Sequence, residues 1–387
     1  MSKTHFTIYA CGLILTGGLY AEEVLTPVST QTYALLFGTK AVYQDFSTTK
    51  ATVTEIDINT KTKRVLLPEV GSSPYYIDYG WAGNDLVYIP FTVKAVYPLE
   101  YLDITGKGGK ALTTNQGWKE SVWVGGGVAV WVDYRHKLPN DKNGEIYMCS
   151  LPPGTEKRLT TDVGYEAKPV TDGKHIVWMD YSAGSYANLV LYEIATGATV
   201  KPSPTNSHQD NPRVYGDWLV WEDYRNAKTD TANADIFAYN IKSKEVKPIC
   251  TNASFQGKPF LQGNGIVWDD YRNAGSNKDN VDIYGYDLTA NTEIAISTKN
   301  GYETSPVLFG DRIVWFATNG AQMDLYTATL TFNESGANLQ PRVVSHRIYE
   351  SIDPFFRLDG RLDPTILKAD GYHFSYPRSH SPNLIGQ

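Results

Sequence analysis

The sequence predicts an all-β chain, a seven-bladed β-propeller built from four-stranded antiparallel blades. Three observations carry this. An aromatic residue ending an apolar run returns at Tyr43, Tyr88, Trp131, Trp178, Trp221, Trp268 and Trp315, at intervals of 45, 43, 47, 43, 47 and 47 residues. Five residues before each stands a glycine: Gly38, Gly83, Gly126, Gly173, Gly216, Gly263 and Gly310. Between these anchors run short alternating segments with no stretch of helical period. A unit of four short strands cannot cover both of its own faces, so seven of them bury each other by closing into a ring.

The elements follow in chain order. Lys3, the apolar run Phe6 to Leu19 and the small-residue site Gly18-Leu19-Tyr20-Ala21 mark residues 1–21 as a signal peptide. The expected location is therefore exported: periplasmic, secreted or at the cell surface. Cys11 follows Ile8-Tyr9-Ala10 in the manner of a lipoprotein site, but the apolar stretch before it is too short. No later segment is apolar enough to span a membrane. Residues 22–331 form the propeller. Val24-Leu25-Thr26 aligns with Arg158-Leu159-Thr160, the end of an outer strand, so the N-terminal strand is expected to close the last blade.

In the Trp268 unit the expected strands are Pro259–Leu261, Ile266–Asp269, Asp282–Tyr286 and Glu293–Ile296. The anchor-minus-five glycine supplies the positive φ of the tight turn between the first two. Pro169, Pro212, Pro259 and Pro306, nine before their anchors, are expected to start strands, since proline cannot donate to a ladder. The last blade uses Pro306–Phe309, Arg312–Phe316 and Met323–Thr327. From about Phe332 the pattern stops, and 332–387 reads as a tail packed on the propeller, with Val343-Val344 as its one strand candidate.

Composition narrows the function classes. The chain is 42% hydrophobic and 13% aromatic, with formal charge −7, and loss of Lys3 with the leader makes it −8. No basic block is present, which argues against nucleic acid and anionic membranes as partners. Cys149 and Cys250 fall in separate, non-adjacent blades and are expected to remain two thiols. The 27 Tyr and 9 Trp suit strands and carbohydrate-facing surfaces alike.

The stretch Gly216-Asp-Trp-Leu-Val-Trp-Glu-Asp-Tyr-Arg-Asn226 followed by Asp235-Ile-Phe-Ala-Tyr239, and its copy from Gly263 to Asn273 with Asp282-Ile-Tyr-Gly-Tyr286, resembles the TolB-like propeller repeats of exported and surface proteins. The resemblance covers roughly Val24 to Leu330. The Tyr88 unit departs most, with Ile89-Pro90-Phe91 in place of the acidic cluster. It implies a propeller that serves as a binding scaffold or assembly factor, and in some members as an enzyme.

Candidate site residues come from the loops that converge on the funnel. Thirteen before the anchor stand Tyr75, Trp118, Tyr165, His208, Phe255 and Tyr302, with Thr30 breaking the series in the first unit. Beside them stand Lys119, Glu166, Gln209, Gln256 and Glu303. Trp118, Tyr165, Glu166, His208, Gln209, Phe255, Gln256, Tyr302 and Glu303 are the candidate ligand contacts, flat faces for sugar rings and polar groups for hydroxyls. Their regular recurrence equally suits packing between blades. The clusters Asp133-Tyr134-Arg135, Asp223-Tyr224-Arg225 and Asp270-Tyr271-Arg272 read first as local turn bonds, with each Arg paired to an acid of the next strand such as Glu145, Asp235 or Asp282.

His136 and His208 break the consensus of their own repeat. With Tyr181 and Arg225 they form a candidate catalytic set for β-elimination on an acidic polysaccharide, or for glycan hydrolysis. The expectation is nevertheless a monomeric, non-catalytic binding or scaffold propeller that takes a polysaccharide, or a protein or peptide ligand, at its upper funnel. No cofactor is expected. No metal-ligand spacing, phosphate-cradling loop or nucleophile motif is present, and Asn140 to Glu145 is too short and too basic for a calcium loop.

Overall fold

The structure is a computed structural model that describes residues 23–28, 34–45, 52–67, 79–89, 99–105, 109–113, 117–136, 144–161, 164–227, 233–275, 280–319 and 322–330. The expected leader at 1–21, Tyr75, His346, His373, His380 and the tail from 332 lie outside the described residues.

Seven four-stranded antiparallel sheets account for all the strands. Blade 1 spans 34–67, blade 2 79–111, blade 3 119–158, blade 4 166–200, blade 5 209–250, and blade 6 256–297. Blade 7 holds Glu303–Phe309, Arg312–Asn319 and Gln322–Thr329, and its fourth strand is Glu23–Val28. That strand runs antiparallel to Gln322–Thr329, from Glu23 opposite Thr327 to Val28 opposite Met323. First strands of successive blades pack on one another around the whole circle, blade 7 on blade 1 included, so the ring is closed. No helix among the described residues is long and apolar enough to cross a membrane.

The anchor aromatics explain why the repeat folds this way. Tyr43, Trp131, Trp221, Trp268 and Trp315 are fully buried in the centre of their blades. Trp131, Trp221, Trp268 and Trp315 each stack on a ring of the third strand, Tyr147, Phe237, Tyr284 and Tyr326, with centroids 5.9–6.4 Å apart. All seven turn glycines have positive φ, between 54° and 89°. In the Trp268 unit the observed strands are Gln256–Gln262, Gly265–Asp270, Asp282–Asp287 and Thr292–Ser297.

The prolines behave differently from expectation. Inner strands begin three residues before Pro169, Pro212, Pro259 and Pro306, so each proline lies inside its strand. A β-bulge makes room for it. The residue just before the proline is left-handed: Lys168 (φ 47°), Asn211 (48°), Lys258 (50°) and Ser305 (57°), with Ser121 (56°) in the same place in blade 3. The register slips there in all five blades. At a bulge the ladder needs no N–H, so proline costs nothing.

Candidate functional site

Each blade contributes residues in layers, read down its inner strand from the funnel mouth. At the top, Trp118 is 39% exposed and its indole N–H donates to Glu120 Oε2 at 3.1 Å. Glu120 Oε1 accepts the hydroxyls of Tyr134 at 2.9 Å and Tyr165 at 3.2 Å. From Tyr165 a chain of rings runs through Tyr181, His208 and Tyr224, with centroids 5.5–5.9 Å apart. Phe255 meets Tyr271 edge-on at 5.3 Å, and the Tyr271 hydroxyl bonds Tyr302. Burial pushes the Tyr181 phenol up to about 12, with Asp210 adding to the shift. Among the described residues the aromatics of blades 3 to 7 therefore form a series at one level, and it alternates with the tyrosines of the Asp-Tyr-Arg clusters, Tyr134, Tyr224 and Tyr271. Sequence reasoning had assigned those three only to turns.

The polar neighbours correct the expectation. Glu166, Gln209, Gln256 and Glu303 are at most 2% exposed and cannot meet a ligand in the funnel. They bond protein instead. Gln209 accepts from Leu189 N of the preceding blade at 3.0 Å and donates to Ser203 O and Asp223 Oδ2. Gln256 donates to Ser254 O, Glu303 accepts from Ser297 Oγ and Glu166 from Thr160 Oγ1. Burial favours such pairing, although Gln256 Oε1 is buried with no hydrogen-bond partner.

The candidate catalytic set does not come together. Tyr181 and His208 are in contact, and His208 Nδ1 accepts from Ala187 N at 3.2 Å. His136 is exposed and lies on Tyr147 at 6.4 Å, on the blade's third strand. In blades 5 and 6 the residue in its place is Asn, which binds the acid of that strand: Asn226 to Asp235 at 2.6 Å and Asn273 to Asp282 at 2.7 Å. In blade 3 that acid is Glu145, whose longer arm reaches Arg158 and Thr160 instead, so position 136 is freed from the task. Arg225 is held by Asp223 at 2.6 Å and by Ser203 Oγ at 2.8 Å, and it covers the Phe237 ring at 4.3 Å. Each cluster thus closes on its own aspartate; Arg135 also pairs with Glu156, just before the fourth strand, and Arg272 with Glu293 within it, rather than with the third strand's acid. The Asp also takes the anchor indole N–H: Trp131 to Asp133, Trp221 to Asp223 and Trp268 to Asp270 at 2.7–3.1 Å.

Below the mouth the bulges turn charged groups into the funnel. Lys168 and Lys258 keep 45% and 44% of their side chains exposed there. Lys168 reaches across to Asp210 at 2.6 Å in the next blade. Lys258 donates to Thr304 Oγ1 at 2.6 Å and lies 3.3 Å from Asp269. Glu222 accepts Asn211 Nδ2 and the Lys258 backbone N–H, and Asp269 accepts the Ser305 N–H, so two acids pin the left-handed residues of the following blades. Burial raises Glu222, with nearby Asp210 adding to the effect, and burial likewise raises Asp269 against the pull of Lys258. Asp210 is held well below the usual carboxylate range: Lys168 and His208 outweigh its burial.

The floor was not visible in the sequence. Trp123 of blade 3 and Phe260 of blade 6 stand three places apart in a ring of seven, yet their rings are 6.4 Å apart. They can meet only across the central axis. Arg213 of blade 5 joins them, its guanidinium 4.7 Å from the Trp123 ring and 5.9 Å from that of Phe260. Together the three side chains bridge the centre of the ring at this level and form a floor to the funnel. Among the described residues no group of three or more His, Cys, Asp or Glu could hold a metal ion.

The fold defines the chain as a seven-bladed β-propeller with a sealed ring. No protein-family model and no curated protein matches it. Solved structures do. An oligogalacturonate lyase in complex with manganese aligns with TM-score 0.59 and 13% identity over 82% of this chain and 94% of that one. The β-propeller domain of the Trilobed protease from Pyrococcus furiosus, described as having an open velcro topology, aligns at 0.58 and 10% over 80% and 100%. TolB from Acinetobacter baumannii aligns at 0.47 and 14% over 74% and 66%. At these identities the likeness shows the fold alone.

Proposed function

We propose that the chain is an exported binding propeller that takes a carbohydrate at the mouth of its funnel. The observation that carries this is Trp118. Among the described residues it is the one member of the aromatic series to stand more than a third exposed, and Glu120 fixes its indole edge. A flat, pre-oriented ring beside hydroxyl and carboxylate groups suits the apolar face and the hydroxyls of a sugar. The test is titration with a panel of neutral and acidic oligosaccharides, followed by tryptophan fluorescence and calorimetry. Binding that weakens about tenfold or more in Trp118→Ala supports the reading, on the scale of one lost stacking contact. A panel with no binder overturns it.

The contact between Tyr181 and His208 favours a second reading, in which the same funnel cleaves an acidic polysaccharide by β-elimination. The fold likeness to an oligogalacturonate lyase is in keeping with it. Incubation with oligogalacturonate and other uronate polymers, monitored by the ultraviolet absorbance of the unsaturated product, decides. No absorbance change over hours at high protein concentration excludes it.

A further inference from the structure

Arg213 is the odd residue of the funnel floor. The same position of the other inner strands carries Leu35, Gly80, Trp123, Val170, Phe260 and Val307, so only blade 5 places a charge there. The other two cations of the funnel are answered by acids, Lys168 by Asp210 and Lys258 by Asp269. Among the described residues Arg213 forms no ion pair. Its one hydrogen bond runs from Nη1 to the carbonyl of Pro212 at 2.7 Å, and its buried Nε has no partner. The acids nearest in charge, Glu222 and Asp210, belong to the layer above and have their oxygens engaged by Asn211, Lys258, Tyr224 and Lys168. Trp123 and Phe260 fix the plane of the guanidinium from two sides. The guanidinium is therefore half-buried, oriented and short of acceptors, roughly 15 Å along the inner strand from the mouth residues.

A planar fork of donors in such a setting matches a carboxylate, which accepts two parallel N–H bonds. We infer that Arg213 is the specificity-determining residue of the funnel and that it receives a carboxylate of the ligand, which makes the ligand class an acidic, uronate-bearing oligosaccharide. This rests on the carbohydrate reading above and adds the charge. Trp118 at the mouth would hold sugar rings of either kind; Arg213 at the floor selects those that carry the acid.

The test compares a galacturonic acid trisaccharide with its carboxyl-reduced, neutral counterpart on the full chain. Calorimetry gives affinity, and quenching of Trp123, which stacks on Arg213, reports arrival at the floor. The expected result is that the acidic trimer binds about tenfold or more tightly than the neutral one, on the scale of a charge-assisted hydrogen bond. Arg213→Met keeps the stem on Trp123 and removes the fork. It should abolish the preference while leaving the affinity for the neutral trimer in place. Arg213→Lys keeps the charge without the plane and should retain only part of the preference. The wild-type comparison of the two trimers stands even if Arg213→Met does not fold. Equal binding of both trimers by the wild type, with loss of both in Trp118→Ala, overturns the role of Arg213 and leaves the carbohydrate reading intact. An acidic preference that survives in Arg213→Met also overturns it and transfers the charge to Lys168 or Lys258. Binding of neither trimer sinks the inference together with the reading beneath it.

Discussion

The indole N–H of Trp221 donates to Asp223 Oδ2 at 2.7 Å, and Arg225 closes on the same oxygen at 2.6 Å. One buried carboxylate thus ties the centre of the blade to the loop at the funnel rim. Asp133 and Asp270 repeat the arrangement with Trp131 and Arg135, and with Trp268 and Arg272. This clasp, rather than any ligand role, accounts for the recurrence of the Asp-Tyr-Arg motif.

Asp223→Ala leaves the Trp221 N–H without its acceptor and takes the carboxylate from Arg225 and from the Gln209 amide, which keep only Ser203. A loss of about 3 kcal/mol is expected, the low end for breaking a buried pair because Arg225 is partly exposed. Its pH signature has a definite sign. Arg225 and Trp221 outweigh burial and hold Asp223 below its ordinary value. A depressed carboxylate stabilises the fold above its unfolded value, about 4, and that contribution is lost as pH falls through the folded one. Urea midpoints measured from pH 7 to pH 3 should fall in the wild type and fall less in Asp223→Asn. Equal slopes would show that the clasp carries no proton linkage.

Blade 7 lacks the clasp, because Ala317 stands where blades 3, 5 and 6 have the clasping Asp, and the buried Trp315 Nε1 has no partner. Ala317→Asn offers the indole a neutral acceptor and should raise stability by about 1 kcal/mol. Ala317→Asp should lower it, since Ala317 lies opposite Glu303 on one side and Asp324 on the other. Thermal melts of the two variants, opposite in sign, are the check.

Two turn glycines separate backbone strain from crowding. A Cβ on Gly263 (φ 60°) meets nothing within 4 Å, so Gly263→Ala should cost only the left-handed penalty, about 1–2 kcal/mol. A Cβ on Gly126 runs into the Asp172 carbonyl and Gly173 of the next blade. Gly126→Ala should cost clearly more and loosen the contact between blades 3 and 4. Denaturant unfolding of both proteins tests the ordering.

Gln209 and Trp118 should respond in opposite ways. Gln209→Ala strips three hydrogen bonds from a residue 1% exposed and is expected to cost about 3 kcal/mol of stability with saccharide affinity little changed. Trp118→Ala should leave the melting temperature nearly untouched and weaken binding. A loss of affinity in a folded Gln209→Ala protein would return that residue to the ligand site.

Blade number, ring closure and the turn glycines were legible in the sequence because each follows from a repeated one-dimensional signal: an aromatic, a glycine five places earlier, an alternating run. The bulges were not. Lys168-Pro169 and its counterparts read as strand starts because proline is incompatible with a regular ladder, and nothing local announces that the ladder is irregular there. The error matters for the site, since the bulges are what bring Lys168, Asn211 and Lys258 into the funnel. The described mouth aromatics share one level, but their polar neighbours, expected beside them, are buried on the other side of the strand. Glu166 and Gln209 sit one residue on, and alternation sends them between blades. Trp123, Phe260 and Arg213 lie 47 to 137 positions apart and meet only because the ring is small, so no spacing rule could have joined them. The heterogeneity of that position among blades was the one available signal.

The strand Glu23–Val28 finds its partner some 300 residues downstream. Until the segment ending at Thr329 has been synthesised, the wheel has no means of shutting, and six sheets must wait with two raw flanks. A growing polypeptide would spend nearly its whole production time in that unlatched state. So long-range a pairing pays its loop-closure entropy late, which makes the final latch the slow step of assembly. A messenger truncated just before the last blade would yield an arc with a stranded first segment, the form most prone to pair with its neighbours.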